Sequence, residues 1–159
     1  MTRLTVLVED TPAEGLKHEH GLSVLVETDT ARLLFDTGQS DAFIRNAATL
    51  GLSLESLDAI VVSHPHYDHA GGLCHLHTHA PLYVCDGFFA PRYHIGYSQN
   101  IGVPCAEKRL RANGLDIRPI LESVALSRGR FHLVTGFTTP HPLERGPSPF
   151  SLDAAGARP

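Results

Sequence analysis

The chain has 159 residues, 42% of them hydrophobic, which is enough for one ordinary core but not for two large domains. Its formal net charge is -4, and its 13 Lys and Arg are scattered along the chain, so the sequence predicts no basic surface that would bind the phosphates of a nucleic acid. Nucleic acid is therefore not an expected partner. No apolar run approaches the roughly 18 residues that span a bilayer, and the N-terminus lacks the features of a signal peptide, so we expect a cytoplasmic protein with no membrane partner.

The first half of the chain is predicted to combine strands with one helix. Three short runs of Leu and β-branched residues, bounded by polar turns, predict strands at residues 4–9, 22–27 and 32–35. Ser40 or Asp41 can cap a helix whose apolar residues recur at helical spacing until Gly51 ends it. The apolar run at residues 59–63 predicts a central strand that is covered on both faces. Because α/β proteins place their chemistry in loops at strand ends, the residues that follow this strand are of most interest.

The second half of the chain gives weaker signals. Apolar patterns predict, in order, a helix beginning within residues 73–79, a strand at 82–85, a loop at 88–95, a helix at 106–112 and strands at 117–121 and 131–135. Proline, glycine and alanine then dominate residues 138–159 without a periodic apolar pattern. We therefore expect one folded domain over residues 1–137 and an irregular or disordered tail over residues 138–159.

Cysteine and histidine usage points to different kinds of chemistry. Cys74, Cys85 and Cys105 form no CxxC pair and are odd in number, which predicts reduced, structural thiols rather than a disulfide framework. The chain also has 11 histidines, and histidine is a common metal ligand and general acid or base near neutral pH. Three of these histidines and one aspartate fall within six positions, directly after the predicted central strand.

This histidine cluster lies in residues 63–72, which read SHPHYDHAGG. His64 and His66 are two apart and can offer their imidazole nitrogens to one metal ion, while Asp68 and His69 can face a second ion one turn later. Such ligands suit zinc above all, with iron and manganese as alternatives. Two ions can share a water, lower its pKa and present hydroxide to an ester, amide or phosphoester. The alternative is a His-rich surface loop that binds nothing, but the combination of four candidate ligands, a buried strand and Gly-Gly favours a metal site.

The cluster resembles the HxHxDH signature of the metallo-β-lactamase fold, a family of dinuclear metallohydrolases. Residues 19–23 (EHGLS) and 34–40 (LFDTGQS) are similar to the branch of dihydropterin ribofuranosylaminobenzene-phosphate synthase-like proteins. The resemblance implies an α/β (α+β) fold, the αββα sandwich, of which this chain matches only the first αβ half and a short extension. It also implies that Asp36 lies beneath the metal loop and orients a ligand, that Asp68 is both ligand and candidate catalytic residue, and that the substrate is a small, phosphorylated or pterin-like molecule.

The resemblance implies three more metal ligands, for which the sequence offers no convincing place. None of the downstream histidines stands in a segment of the matching kind; they are His75, His77, His79, His94, His132 and His141. His75 and His79 would share a face of a helix and could form a metal pair, or could belong to a polar helix surface. A chain that lacks the second half should also leave one apolar sheet face uncovered, which predicts a homo-oligomer, a partner chain, or a fragment of a longer protein.

Three functional hypotheses follow from these patterns. The first is a metal-dependent hydrolase in which metal-bound hydroxide attacks a small substrate. The second is a truncated or non-catalytic metal-binding remnant that needs a partner chain to complete its site. The third, a protein that stores or senses metal with all 11 histidines, is disfavoured because the histidines are dispersed through predicted strands.

Overall fold

The computed structural model describes residues 1–126 and 131–135, together with the backbone of residues 144–145. The strands are β1 (Thr2–Val8), β2 (Ser23–Thr28), β3 (Arg32–Phe35), β4 (Ala59–Val61), β5 (Pro81–Cys85), β6 (Tyr93–His94), β7 (Asp116–Ile120), β8 (Val124–Leu126), β9 (Phe131–Leu133) and β10 (Glu144–Arg145). The helices are α1 (Ala42–Thr49), α2 (Tyr67–Ala70) and α3 (Glu107–Ala112), with a 3₁₀ helix at Gly71–His75. The predicted elements of the first half are all present, and their bounds agree with the prediction to within two residues.

The main sheet has six strands in the order β1-β2-β3-β4-β5-β7. The first three strands form an antiparallel meander, and β3, β4, β5 and β7 run parallel to one another. A tight turn joins β2 to β3, in which the Thr28 N–H donates to the Ala31 carbonyl at 2.8 Å. The mixed α/β architecture that the sequence predicts is therefore confirmed.

The helices cover one face of this sheet and build the larger core. Phe43 and Ala47 on α1 are buried against the strands, as the helical spacing predicts. In β4, Ile60 belongs to this larger core, whereas Ala59 and Val61 face the opposite side, where a second and smaller core lies. The prediction that this strand is covered on both faces is confirmed.

The opposite face of the sheet is apolar and only partly covered. The antiparallel pair of β8 and β9 packs on its centre, where Leu126 joins Leu33 and Val61 in the smaller core. At the β1 edge Leu4 pairs across the sheet with Val26, yet its side chain remains 68% exposed. The expected apolar face is thus real, although part of its cover comes from this chain itself, and a partner for the exposed edge stays a prediction.

The cysteines correct one prediction. Cys74 and Cys105 form a disulfide with a Cα–Cα distance of 5.8 Å across a sequence separation of 31, so the expectation of reduced thiols was wrong for this pair. The parallel connections of the sheet bring the chain that enters α3 back against the 3₁₀ helix, and residue spacing alone does not reveal that return. Cys85 is free, as expected.

Two further expectations concern the second half. The helix predicted to begin within residues 73–79 is instead the 3₁₀ helix, which ends at His75. The domain boundary near residue 137 and most of the tail at 138–159 lie outside the described residues; within that range the backbone of β10 pairs with β6. No described helix has the length and apolarity that crossing a bilayer requires.

Candidate metal centre

The candidate centre forms where two parallel strands end side by side. Phe35 of β3 pairs with Val61 of β4, so the residues after each strand meet at one edge of the sheet. The Asp36 N–H extends the ladder by donating to the Val61 carbonyl at 2.9 Å. Beyond β4, His66 is extended and caps α2, whose single turn carries the next two candidate ligands. The strand ends therefore place Asp36 beneath the histidine loop.

Asp36 connects this loop to β3 through three hydrogen bonds. Its side chain is fully buried and its backbone is left-handed, with φ of 57°, a conformation that Asp tolerates better than most residues. Its Oδ1 accepts the Ser63 N–H at 2.7 Å, and its Oδ2 accepts the Ser63 hydroxyl at 2.7 Å and His69 Nδ1 at 2.8 Å. The Asp36 carboxylate thus fixes the backbone at Ser63, before the candidate ligands, and the imidazole of His69, the last of them.

These hydrogen bonds also determine which nitrogen of two histidine rings carries the lone pair. The Ser63 hydroxyl gives its hydrogen to Asp36, so at the 2.9 Å contact it accepts from His64 Nδ1–H. His69 donates its Nδ1–H to Asp36 in the same way. Both rings therefore keep their lone pair on Nε2, the arrangement in which a carboxylate or hydroxyl orients a metal-binding histidine.

The three histidine rings of the loop lie against one another. The ring centroid of His64 is 4.5 Å from that of His66 and 4.1 Å from that of His69. Burial, reinforced by the other two rings, lowers the pKa of His64 to about 4, so this ring is neutral at neutral pH. Burial acts to lower the pKa of His69 as well, but the hydrogen bond and negative charge of Asp36 outweigh it and the pKa is raised.

Glycines allow the surrounding loops to touch the backbone of the histidine loop. A Cβ on Gly72 would collide with the Thr37 carbonyl oxygen, and a Cβ on Gly71 would collide with that of Gln39. A Cβ on Gly21 would collide with the carbonyl oxygen of Asp68. The Gly-Gly pair after the ligands and the glycine of EHGLS are therefore needed for close packing.

Two polar side chains hold the loop between β1 and β2 in this packed position. Glu19 Oε1 accepts the Gln39 N–H at 2.8 Å and the Ser40 N–H at 3.0 Å. Asn46, almost fully buried on α1, accepts the Lys17 N–H at 2.8 Å and donates to the Lys17 carbonyl at 2.7 Å. The segments that carry the family resemblance are thus the ones that pack around the histidine loop.

The fourth predicted ligand, Asp68, makes contacts on two sides. Its side chain is largely buried, and its Oδ2 lies 3.4 Å from His69 Nε2 and 3.4 Å from His20 Nε2. His20 in turn contacts Asp10, with 3.2 Å between Nδ1 and Oδ1. His20 and Asp10 were not among the predicted site residues, although His20 stands in the quoted EHGLS segment.

The predicted residues thus come together, and the histidines that follow the loop in the sequence do not join them. His75, His77, His79, His94 and His132 are exposed, and His141 lies outside the described residues. Within the described part of the chain, no group of three or more His, Cys, Asp or Glu side chains is arranged to hold a metal ion as it stands. The chemistry of the donor atoms nevertheless fits a divalent ion. The imidazoles of His64 and His69 are oriented so that their Nε2 atoms carry no hydrogen in the neutral form, and the Asp68 carboxylate lies in the same partly buried cluster.

Comparisons with known proteins agree with this arrangement. The family model described as the metallo-beta-lactamase superfamily matches residues 17–143. The solved structure of Tm1679, described as a metal-dependent hydrolase of the beta-lactamase superfamily, matches with a TM-score of 0.76 and 28% identity over 91% of this chain and 53% of that one.

Two curated relatives from Methanocaldococcus jannaschii match shorter stretches. The uncharacterized protein MJ0448 is 40% identical over 70 residues, which is 44% of this chain and 27% of the relative. The enzyme 7,8-dihydropterin-6-methyl-4-(beta-D-ribofuranosyl)-aminobenzene-5'-phosphate synthase is 40% identical over 60 residues, 35% of this chain and 20% of the enzyme. The chain spans about half the length of the matched structure, and the matched regions cover less of the curated relatives. The family and fold inferred from the motif are confirmed: the chain belongs to the metallo-beta-lactamase superfamily.

Proposed function

We propose that this chain is a metal-dependent, hydrolase-like protein whose ion or ions are held by His64, His66, Asp68 and His69. The observation that carries the proposal is the network around Asp36, which presents two imidazole Nε2 atoms beside the Asp68 carboxylate. A surface loop without function has no need of a buried carboxylate in a left-handed conformation that orients its histidines.

Each residue has a distinct role in this proposal. His64 and His66 hold one ion, and Asp68 and His69 hold the other. Zinc is the first candidate, with iron and manganese as alternatives. The bound ion would supply Lewis acidity and make water acidic enough to react at neutral pH. Asp36 orients His69 directly and His64 through the Ser63 hydroxyl.

Asp68 is the candidate catalytic residue because its carboxylate is both largely buried and next to the ligands. Its Oδ2 lies 3.4 Å from His69 Nε2, so this carboxylate can also accept a proton from a water molecule beside the ligands. Arg92, fully buried, adds positive charge nearby, and that charge contributes to the lowered pKa of His64.

A small phosphorylated or pterin-like molecule is the proposed substrate class, on the basis of the similarity to the dihydropterin enzyme. A cytoplasmic location also stays a prediction; the Cys74–Cys105 disulfide weighs against it, because such bonds rarely persist in a reducing cytosol.

The alternative is a non-catalytic metal-binding protein that needs a partner chain to complete its site. The absence of a ready group of three ligands among the described residues favours this alternative. The exposed apolar edge at Leu4 provides a place where a partner or a second copy of the chain can pack.

The test is a metal titration of the full 159-residue chain, with oligomeric state measured on the same sample by light scattering. The proposal expects tight binding of Zn²⁺, and His66→Ala should abolish binding of the ion that His64 and His66 hold. His132→Ala, on the exposed side of β9, should leave binding unchanged. Hydrolysis of an activated phosphodiester by the loaded wild type, lost in Asp68→Asn, would favour the enzyme. Binding without hydrolysis would favour the alternative, and failure to bind Zn²⁺, Fe²⁺ or Mn²⁺ would refute both.

A further inference from the structure

His20 is held in a fixed position although its side chain is 65% exposed. Its ring Nδ1 lies 3.2 Å and 3.3 Å from the two carboxylate oxygens of Asp10. Asp10 Oδ1 also accepts the Gly21 N–H at 2.9 Å, and the His20 carbonyl accepts Gln39 Nε2 at 2.7 Å. The His20 ring and the peptide between His20 and Gly21 are therefore each held by hydrogen bonds.

The other ring nitrogen points at the candidate metal centre. His20 Nε2 lies 3.4 Å from Asp68 Oδ2, the same separation as that between His69 Nε2 and this oxygen. Nitrogen-to-oxygen hydrogen bonds are shorter than this, at about 2.7–3.2 Å. Two ligands bound tetrahedrally to zinc at roughly 2.0–2.2 Å lie roughly 3.4 Å apart, which is the edge of the tetrahedron. Both contacts of Asp68 Oδ2 thus have the length expected between ligands of one ion.

The contact with Asp10 also gives His20 the correct tautomer. A carboxylate that accepts the Nδ1–H leaves the lone pair on Nε2, as Asp36 does for His69. The Gly21 N–H, with a further contribution from His20, lowers the pKa of Asp10, so this carboxylate stays ionised at neutral pH. Asp10–His20 and Asp36–His69 are two carboxylate–histidine pairs that converge on one oxygen of Asp68.

We propose that His20 is a further metal ligand, which binds the ion on the Asp68 side through Nε2 while Asp10 orients its ring. This inference rests on the proposed function, because it needs a metal-binding loop at residues 64–69. It gives the second ion three ligands from the chain itself, His20, Asp68 and His69. That number, with one open position, is what a catalytic zinc requires.

The test compares His20→Ala with His18→Ala in the full chain, using Zn²⁺ alone in a competition titration. His18 is an exposed histidine two residues away that lines a separate surface depression with Lys17 and Arg45, so it is a matched control. We expect His20→Ala to weaken binding of the ion on the Asp68 side by about 100-fold or more, and Asp10→Asn by about 10-fold to 100-fold. His18→Ala should bind as the wild type does. Because the His20 side chain is mostly exposed, urea unfolding of the metal-free variant should match that of the wild type.

A conservative variant distinguishes ligation from a structural effect. His20→Cys retains a ligand atom, so Co²⁺ added to this variant should give a thiolate-to-metal charge-transfer band, which only a direct sulfur–metal bond produces. Wild-type affinity in His20→Ala, or a Co²⁺ complex of His20→Cys without that band, would overturn the inference and leave the proposed function intact. Failure of the wild type itself to bind Zn²⁺ and Co²⁺ would overturn both.

Discussion

Replacement of Asp36 by Asn separates the orienting role of this carboxylate from its volume. Asn fits the left-handed backbone at this position, and its carbonyl oxygen can still accept the Ser63 N–H. Its amide group, however, then faces the Ser63 hydroxyl and His69 Nδ1, both of which donate to Asp36 at 2.7–2.8 Å. The hydroxyl can turn to accept instead, whereas His69 must move its proton from Nδ1 to Nε2.

The expected magnitude follows from these contacts. Three charge-assisted hydrogen bonds become neutral ones. Each such change costs about 1 kcal/mol, so the free energy of unfolding of the metal-free protein should fall by about 3 kcal/mol. The proton now on Nε2 blocks the ligand atom, so metal affinity should fall by about 10-fold to 100-fold.

Urea unfolding gives the stability, Zn²⁺ competition gives the affinity, and the ¹⁵N shifts of the His69 ring report which nitrogen is protonated. Asp58→Asn is the matched control, since Asp58 is an exposed carboxylate that accepts the Arg32 N–H at 2.7 Å away from the metal loop. The reasoning would be refuted if Asp36→Asn lost less than about 0.5 kcal/mol, or if His69 kept its proton on Nδ1.

Three other measurements test the charges and thiols of the fold. Burial acts to raise the pKa of Glu27, but Arg3 and Arg32 outweigh burial and lower the pKa below the ordinary 4.5. The ionised Glu27 therefore adds stability that is present above pH 4.5 and is lost as the pH falls through the pKa of the folded state. Glu27→Gln should flatten the acid side of the curve of stability against pH. An unchanged acid side would contradict this. Burial raises the pKa of Cys85 from 9.0 to about 11, so iodoacetamide should alkylate it about 100-fold more slowly in the folded protein than in urea; equal rates would refute the burial argument. Cys105→Ser opens a loop of 31 residues and should lower the unfolding free energy by roughly 3.5 kcal/mol under oxidising conditions, and by little in reductant; equal losses in both would mean that the bond contributes nothing.

The local elements of the first half were predictable because their patterns are short-ranged. Helical spacing from Phe43 to Ala47 and a left-handed glycine at Gly51 are visible in sequence and are found in α1 and at its end. The continuous apolar run of β4 likewise predicted burial on both faces.

Contacts between distant segments were much harder to foresee. The Cys74–Cys105 bond depends on how β5 and α3 return to the 3₁₀ helix, which a count of cysteines does not show. His20 escaped notice because it lies in an irregular loop more than 40 residues before Asp68, where no periodic pattern points to a site. The adjacent glycine was the available signal, since Gly21 allows backbone contact with Asp68.

The position of the candidate ligands along the chain affects how the centre assembles during synthesis. Asp10, His20, Asp36 and the histidine loop all lie within residues 10–69, so a nascent chain, which emerges N-terminus first, carries every proposed donor before α3 exists. Later residues contribute contacts that stabilise the loop. The Ile101 carbonyl accepts a hydrogen bond from the Tyr67 N–H at 2.9 Å, and Cys105 is bonded to Cys74 in the 3₁₀ helix. The Cys74–Cys105 disulfide can therefore form only after every proposed donor has been synthesised.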